Sequence, residues 1–315
     1  MLNATFGGVH HCGRCVQVFS KSLCRSSLLF NWSFRHRSNG RKAKRSAQTE
    51  PDVVKSAAEF SATSKSEPVS IGSCYPCDLA SIQTVPFVLD NADEKKGSND
   101  QETGAKFRFP SVTKILERTR SAESRELFTN WRNNMIEKYG QEKFDSLVSD
   151  RLKIGTALHE ALTMQYLTLQ TPVDEVQLSE SAVPYWNSLK PLLPCIEELV
   201  SKEAWVNHSV LHYKGRIDAL LKYKNRVVLL ELKTSDRVKA SLDSLYDTPL
   251  QLVAYAGALN SMPDYPKITD AIIIVCYTSS EATVFELNIR YLEYYWKQWL
   301  QRLSNYWADL GKMHR

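Results

Sequence analysis

Apolar positions along the chain fall into three regimes. Residues 1–105 show no sustained period and offer little candidate core. From Pro110 onward Ile115, Leu116, Leu127, Trp131, Met135 and Ile136 recur at helical spacing, which predicts a mostly helical region to about Tyr166. Proline suits a first helical turn and a hydroxyl caps its free amides, so Pro110, Ser111 and Thr113 mark the start. Lys190-Pro-Leu-Leu-Pro194 breaks the next helical segment. Beyond about Ala204 the pattern turns to strands, predicted over 204–213, 214–223, 226–234, 271–277 and 283–287. Residues 271–277 lack polar alternation, as a strand covered on both faces does. A helix predicted over 249–259 has crossover length, so the strands it joins are expected to run parallel and the sheet to be mixed. Residues 291–310 carry Leu292, Tyr295, Trp296, Trp299, Leu303, Tyr306 and Trp307 at helical spacing, a stripe suited to packing on a sheet more than to stacking on bases. The short run 82–89, broken by Pro86, is expected to dock as an extended strand.

Charged residues inside these strands carry the chemistry. If 214–234 is a hairpin turning at Lys224 and Asn225, Tyr223 pairs with Arg226, and counting back along both strands sets Asp218 opposite Glu231. Cross-strand partners have Cβ atoms about 4.5–5.5 Å apart and like charges there repel, so a divalent cation between them makes sense of the pair. Lys233 projects from the face of Glu231. A simple salt bridge of either acid with Lys233 or Arg216 would account for one acid, not for two in register with a lysine. Gln251 and Tyr255, four residues apart, share a helix face and both offer donors, although amphipathic packing with Gln251 on the rim accounts for them equally. Ser111 and Thr113 at a helix start offer hydroxyl and amide donors to a phosphate, or serve only as caps.

Gly215-x-x-Asp218 followed by an aliphatic strand ending Glu231-x-Lys233 resembles the PD-(D/E)XK nuclease superfamily. Gly155-Thr-Ala-Leu-His159 upstream and Gln251-Leu-Val-Ala-Tyr255 downstream narrow the resemblance to its RecB-type branch. From about Phe107 to the end the chain looks like that branch's exonucleases of mitochondrial genome maintenance. The resemblance implies a restriction-endonuclease-like α/β fold, a mixed sheet flanked by helices with a helical region before it. It implies Asp218, Glu231 and Lys233 as catalytic residues, and His159, Asp218, Glu231 and the Leu232 carbonyl as ligands to Mg2+ or Mn2+. It further implies that Gln251 and Tyr255 position the substrate phosphate or Lys233; Ser111 and Thr113 are expected on a substrate phosphate from their helix start, and Glu203, just before the first strand, as an additional acid reaching a second metal through water. The expected substrate is single-stranded DNA, including flaps or tails with free ends, threaded under the helical region, with Phe128, Trp131 or Tyr139 as candidates for stacking on its bases, although helix packing is the more ordinary role for any one of the three. One departure is Glu231, where that family often has Asp. Hydrolase activity in mitochondrial DNA replication and repair, alongside the replication machinery, is the leading expectation. An inactive nuclease fold that binds DNA and a nuclear or cytosolic repair nuclease are the alternatives.

Composition sets the context for that reading. The 315-residue chain has 40 basic and 35 acidic residues. Residues 1–49 hold no Asp or Glu but nine basic residues (Arg14, Lys21, Arg25, Arg35, Arg37, Arg41, Lys42, Lys44 and Arg45), so the remainder has 31 basic residues against 35 acidic ones. The acid-free stretch reads as a mitochondrial (matrix) transit peptide, with a basic nucleic-acid-binding arm as the alternative. The remainder is mildly acidic, so DNA must be held by a local groove rather than by global charge. Residues 50–105 read as a disordered linker and 106–315 as the nuclease domain. No apolar run approaches bilayer length. Seven cysteines form no disulfide pattern; Cys12-x-x-Cys15 and Cys74-x-x-Cys77 nominally suggest zinc, but the first pair lies in the leader. With only Cys195 and Cys276 in the core, the four-cysteine iron–sulfur cluster of some RecB-type nucleases is not expected.

Overall fold

The computed structural model describes residues 79–89 and 109–313. Helix α1 is Leu79–Ile82, α2 Val112–Arg118, α3 Ala122–Tyr139 and α4 Gln141–Glu160, which continues as a π-helical stretch over Ala161–Thr168. Helix α5 (Val183–Leu189) and a 3-10 turn (Lys190–Cys195) lead into β1 (Ile196–Lys202), β2 (Trp205–His208), β3 (Tyr213–Arg216), β4 (Ala219–Tyr223) and β5 (Arg226–Thr234). Then come α6 (Thr248–Asn260), β6 (Ala271–Cys276), β7 (Thr283–Leu287) and α7 (Ile289–Met313). The main sheet has the order β1-β4-β5-β6-β7, and β2 and β3 form a separate ribbon. β5 and β6 are parallel and the other neighbours antiparallel, so the sheet is mixed as the crossover helix requires.

Each face of the sheet has its own core. Along β6 Ala271, Ile273 and Val275 enter one core while Ile272, Ile274 and Cys276 enter the other, the period-2 alternation of a strand buried on both sides. The first core is closed by α2, α6 and α7, the second by α4 and α5. All thirteen residues of α6 are buried. The aromatic stripe of α7 packs inward as expected: Trp296, Trp299, Leu303, Tyr306 and Trp307 are buried.

Several boundaries differ from the sequence reading. The predicted strand 204–213 stops at His208, whose Nδ1 accepts from the Leu211 amide (3.2 Å) and helps turn the chain into β3. The predicted strand 214–223 is two strands in different sheets, parted at Ile217 and Asp218. Strand β1 was not anticipated: of its residues only Ile196 is buried, and its pairing with β4 is irregular, as edge strands often are. Residues 79–89 dock on α7, though as a helical turn and irregular chain rather than a strand. Ile82 and Phe87 are buried there, Trp296 Nε1 donates to the Val85 carbonyl (2.9 Å), and Phe87 meets the Trp296 ring edge to face. This segment lies within the span expected to be linker. The rest of that linker and the leader fall outside the described residues.

His208 makes the fold acid-sensitive. It is fully buried, and its Nε2 has no hydrogen-bond partner. Burial, with His212 adding to it, pushes its pKa from 6.5 down to about 3. The unfolded chain therefore binds a proton that the folded one refuses, so the contribution is intact above about pH 6.5 and is lost as pH falls toward 3. In denaturant titrations between pH 6.5 and 5, wild type should lose on the order of 1 kcal/mol per pH unit more than H208N. Parallel slopes for the two proteins would contradict this.

Candidate active site

The hairpin turns where expected. Lys224 and Asn225 both have positive φ, as a two-residue hairpin turn of this hand requires. From Tyr223 opposite Arg226 the register runs to Ala219 opposite Leu230, so Asp218 and Glu231 occupy the next step. Asp218 lies just before β4; its Oδ2 accepts from the Leu232 amide (2.9 Å), and its carbonyl accepts from the Glu203 amide (3.0 Å).

β5 places Glu231 and Lys233 on one face, 1% and 5% exposed, with Oε1 and Nζ 2.5 Å apart. Glu231 Oε2 is enclosed and has no hydrogen-bond partner. Burial, reinforced by Asp218 and opposed by Lys233, pushes the Glu231 pKa up to about 7. A carboxylate so placed costs stability until positive charge reaches its second oxygen.

His159 reaches the same point from α4. Its Nδ1 lies 3.4 Å from Asp218 Oδ1 and its Nε2 3.1 Å from the Leu232 carbonyl oxygen. The helix widens to π geometry just beyond it, with Thr163 Oγ1 donating to the His159 carbonyl (2.8 Å). Such widening is frequent at functional sites. Among the described residues no three His, Cys, Asp or Glu groups converge as a metal-holding set. The groups are instead paired with one another, His159 with Asp218 and Glu231 with Lys233. The donor set still suits a hard divalent cation: two carboxylates, one with an unpartnered oxygen, and a carbonyl.

The remaining predicted residues surround this cluster. Gln251 Nε2 donates to Tyr255 Oη (3.1 Å), and both side chains are buried, so Gln251 is not on the rim. The Tyr255 ring lies against Gly215, where any Cβ would run into it; this explains the glycine of the Gly-x-x-Asp run. Ser111 Oγ accepts from the Lys114 amide (3.2 Å), the cap geometry, and sits 3.1 Å from Thr113 Oγ1. The start of α2 is stitched to β3 by the Lys214 amide, which donates to the Pro110 carbonyl (3.0 Å). Glu203 is taken up by Arg216, its Oε2 2.5 Å from the guanidinium. Phe128 and Trp131 are half-buried in mutual contact, Trp131 also leaning on Phe144, whereas Tyr139 is exposed. The Leu232 amide on Asp218 and the Arg216–Glu203 pair were not foreseen; neither a backbone donor nor a partner thirteen residues away leaves a local signature.

The chain is a mixed α/β fold whose five-stranded sheet, flanked by helices, carries an acid, a second acid and a lysine at its central hairpin. No family model matches the chain. It is 30% identical over 200 residues to the human protein named mitochondrial genome maintenance exonuclease 1, a match covering 63% of this chain and 58% of the relative. The Xenopus tropicalis protein of the same name is 29% identical over 200 residues, covering 63% of this chain and 57% of the relative. The chain thus spans less than two thirds of the length of these relatives. They are the proteins that the motifs themselves resemble. The crystal structure of SSO0001 overlaps 52% of this chain and 68% of its own, at 20% identity and a TM-score of 0.24. No described helix is long and apolar enough to cross a membrane.

Proposed function

We propose that this protein is a metal-dependent exonuclease that hydrolyses single-stranded DNA from free ends in the mitochondrial matrix, in support of mitochondrial DNA maintenance. The observation that carries the reading is the buried Glu231 carboxylate, paired with Lys233 on one oxygen, unpartnered on the other and adjoining Asp218. An isolated ion pair has no use for a second, half-buried acid beside it. A cation site does.

Asp218, Glu231 and the Leu232 carbonyl are the oxygens that would hold Mg2+ or Mn2+, with His159 beside them, and hard donors of this type favour such ions. When bound, the ion lowers the pKa of a water and neutralises charge on the phosphate and the leaving oxygen. Lys233 orients the attacking water and faces the negative charge that grows on the phosphate. Its near-complete burial makes that interaction stronger than it would be in water. The Leu232 amide keeps Asp218 turned inward, and Tyr255, braced by Gln251, supports the strand leading to Asp218 from below. Ser111 and Thr113 take a substrate phosphate near β3. The acid-free leader and the names of the relatives support the mitochondrial setting.

The purified chain, given magnesium and labelled DNA of one sequence, should shorten the linear single strand to oligonucleotides and leave the blunt duplex intact. Equal loss of both substrates would rule out single-strand selectivity.

A further inference from the structure

The loop that follows β5 is pinned on two sides. Ser235 donates its amide to the Cys276 carbonyl (2.9 Å), and the Lys239 amide donates to Tyr277 Oη (3.0 Å), fixing the loop to the end of β6. On the other side the Asp236 carboxylate pairs with Arg151 and accepts from Tyr185 Oη (3.2 Å). Arg151 precedes His159 by eight residues on α4, about two turns, so the helix that brings His159 to the acids also holds this loop.

Between these anchors stands a cation without a counter-charge. The Lys239 side chain is 5% exposed, its ammonium lies 5.4 Å from the centre of the Tyr246 ring, and among the described residues no carboxylate pairs with it. Unlike Glu231 Oε2, the ammonium is not an enclosed atom lacking a partner. Burial, with the neighbouring Arg237 adding to it, lowers its pKa. Holding a desolvated ammonium beside a second cation disfavours the fold, so its role lies with an anion brought from outside. The position is six residues after Lys233, on the loop leaving the catalytic strand.

We infer that Lys239, with Arg237 beside it, is a phosphate-binding subsite that grips the single strand at a phosphate next to the one being cleaved. This rests on the nuclease reading above, because it takes the strand itself as the ligand. The subsite contributes one charge-to-charge contact and no base recognition, so it tightens binding to any sequence.

Binding of a labelled oligothymidylate to the full chain, followed by fluorescence anisotropy in chelator over a range of salt, tests the inference. Each phosphate contact to a single strand adds about 0.7 to the slope of log K against log salt. K239Q should bind about 3- to 10-fold more weakly at low salt with a slope smaller by about 0.7, while K239R restores the slope. Because the Gln variant removes an unpaired buried charge, its melting temperature should stay level or rise. An unchanged slope in K239Q overturns the subsite, as does a K239R variant indistinguishable from K239Q or a marked fall in melting temperature. Inorganic phosphate at constant ionic strength separates the sources of the anion: a strand phosphate predicts little displacement at millimolar concentration, and full displacement would mark a free-anion site instead. If wild type neither binds nor cleaves single strands, the nuclease reading fails first.

Discussion

Alanine at Asp218, Glu231 or Lys233 should lower cleavage of linear single-stranded DNA at least ~10²-fold, the scale of removing one donor aimed at transition-state charge. The three losses have different origins. Without Asp218 the Leu232 amide and His159 lose their common acceptor, and one of the two acids facing the phosphate is gone. Without Glu231 the buried Lys233 loses its carboxylate. Without Lys233 the buried Glu231 loses the cation that opposes its burial and the neighbouring Asp218, and with its pKa already pushed to about 7 it takes up a proton. That protonation also limits the cost to the fold, since a broken buried pair otherwise destabilises by about 3–5 kcal/mol. The shape-preserving variants D218N, E231Q and K233M separate chemistry from folding. All six variants should retain a cooperative thermal transition, and near-normal turnover by any one of them removes that residue from the site.

Much of this centre was legible because charge inside an apolar strand is conspicuous. Asp218, Glu231 and Lys233 stand among Ile, Leu and Val, and the register that joins them follows from a two-residue turn counted locally. The same locality explains why β5 and β7 matched their predicted spans. His159 was different: on its helix it reads as an ordinary partly buried side chain, and only its place in a resembled motif singled it out. Information was missing wherever long-range packing decides. Apolar spacing continues smoothly across Ile217 and Asp218, so nothing local marks the point where the chain leaves the β2–β3 ribbon and enters the main sheet, although that break frees Asp218 from the ladder. Strand β1 shows few buried positions and a broken register, which hides a strand in a run that also suits a helix. The unpartnered oxygen of Glu231 depends on three elements at once and has no sequence signature.

The second large effect concerns substrate topology. Helix α3 has no buried residue, and it runs into α4 through Gly140, whose positive φ makes the turn. Helix α4 reaches from there to His159, so the α3–α4 corner stands roughly 27 Å along the helix axis from the site. An arm of this kind gains little from folding on itself, and it carries Arg120 over Phe128, Arg132 near Phe144 and Lys138 over Tyr139. Such interleaved cations and rings suit a single strand. A duplex, about twice as wide and stiff over ~150 bp, would not follow such an arm as a threaded single strand would. Linear single strands should therefore be degraded, whereas closed single-stranded circles of the same sequence, having no end to thread, should survive many turnovers of the linear form. Equal rates on the two would show an open groove and exclude threading.

The central claim is that Asp218 and Glu231 form a cation-dependent centre for phosphodiester hydrolysis, and it meets its most direct test in one tube. Purified wild-type chain is incubated with end-labelled linear single-stranded DNA in excess chelator, then given magnesium beyond the chelator, with E231Q run alongside. Intact DNA until the addition, rapid conversion to short products by wild type afterwards and none by E231Q is the predicted result; product formed equally in chelator, or by E231Q at the wild-type rate, would contradict it.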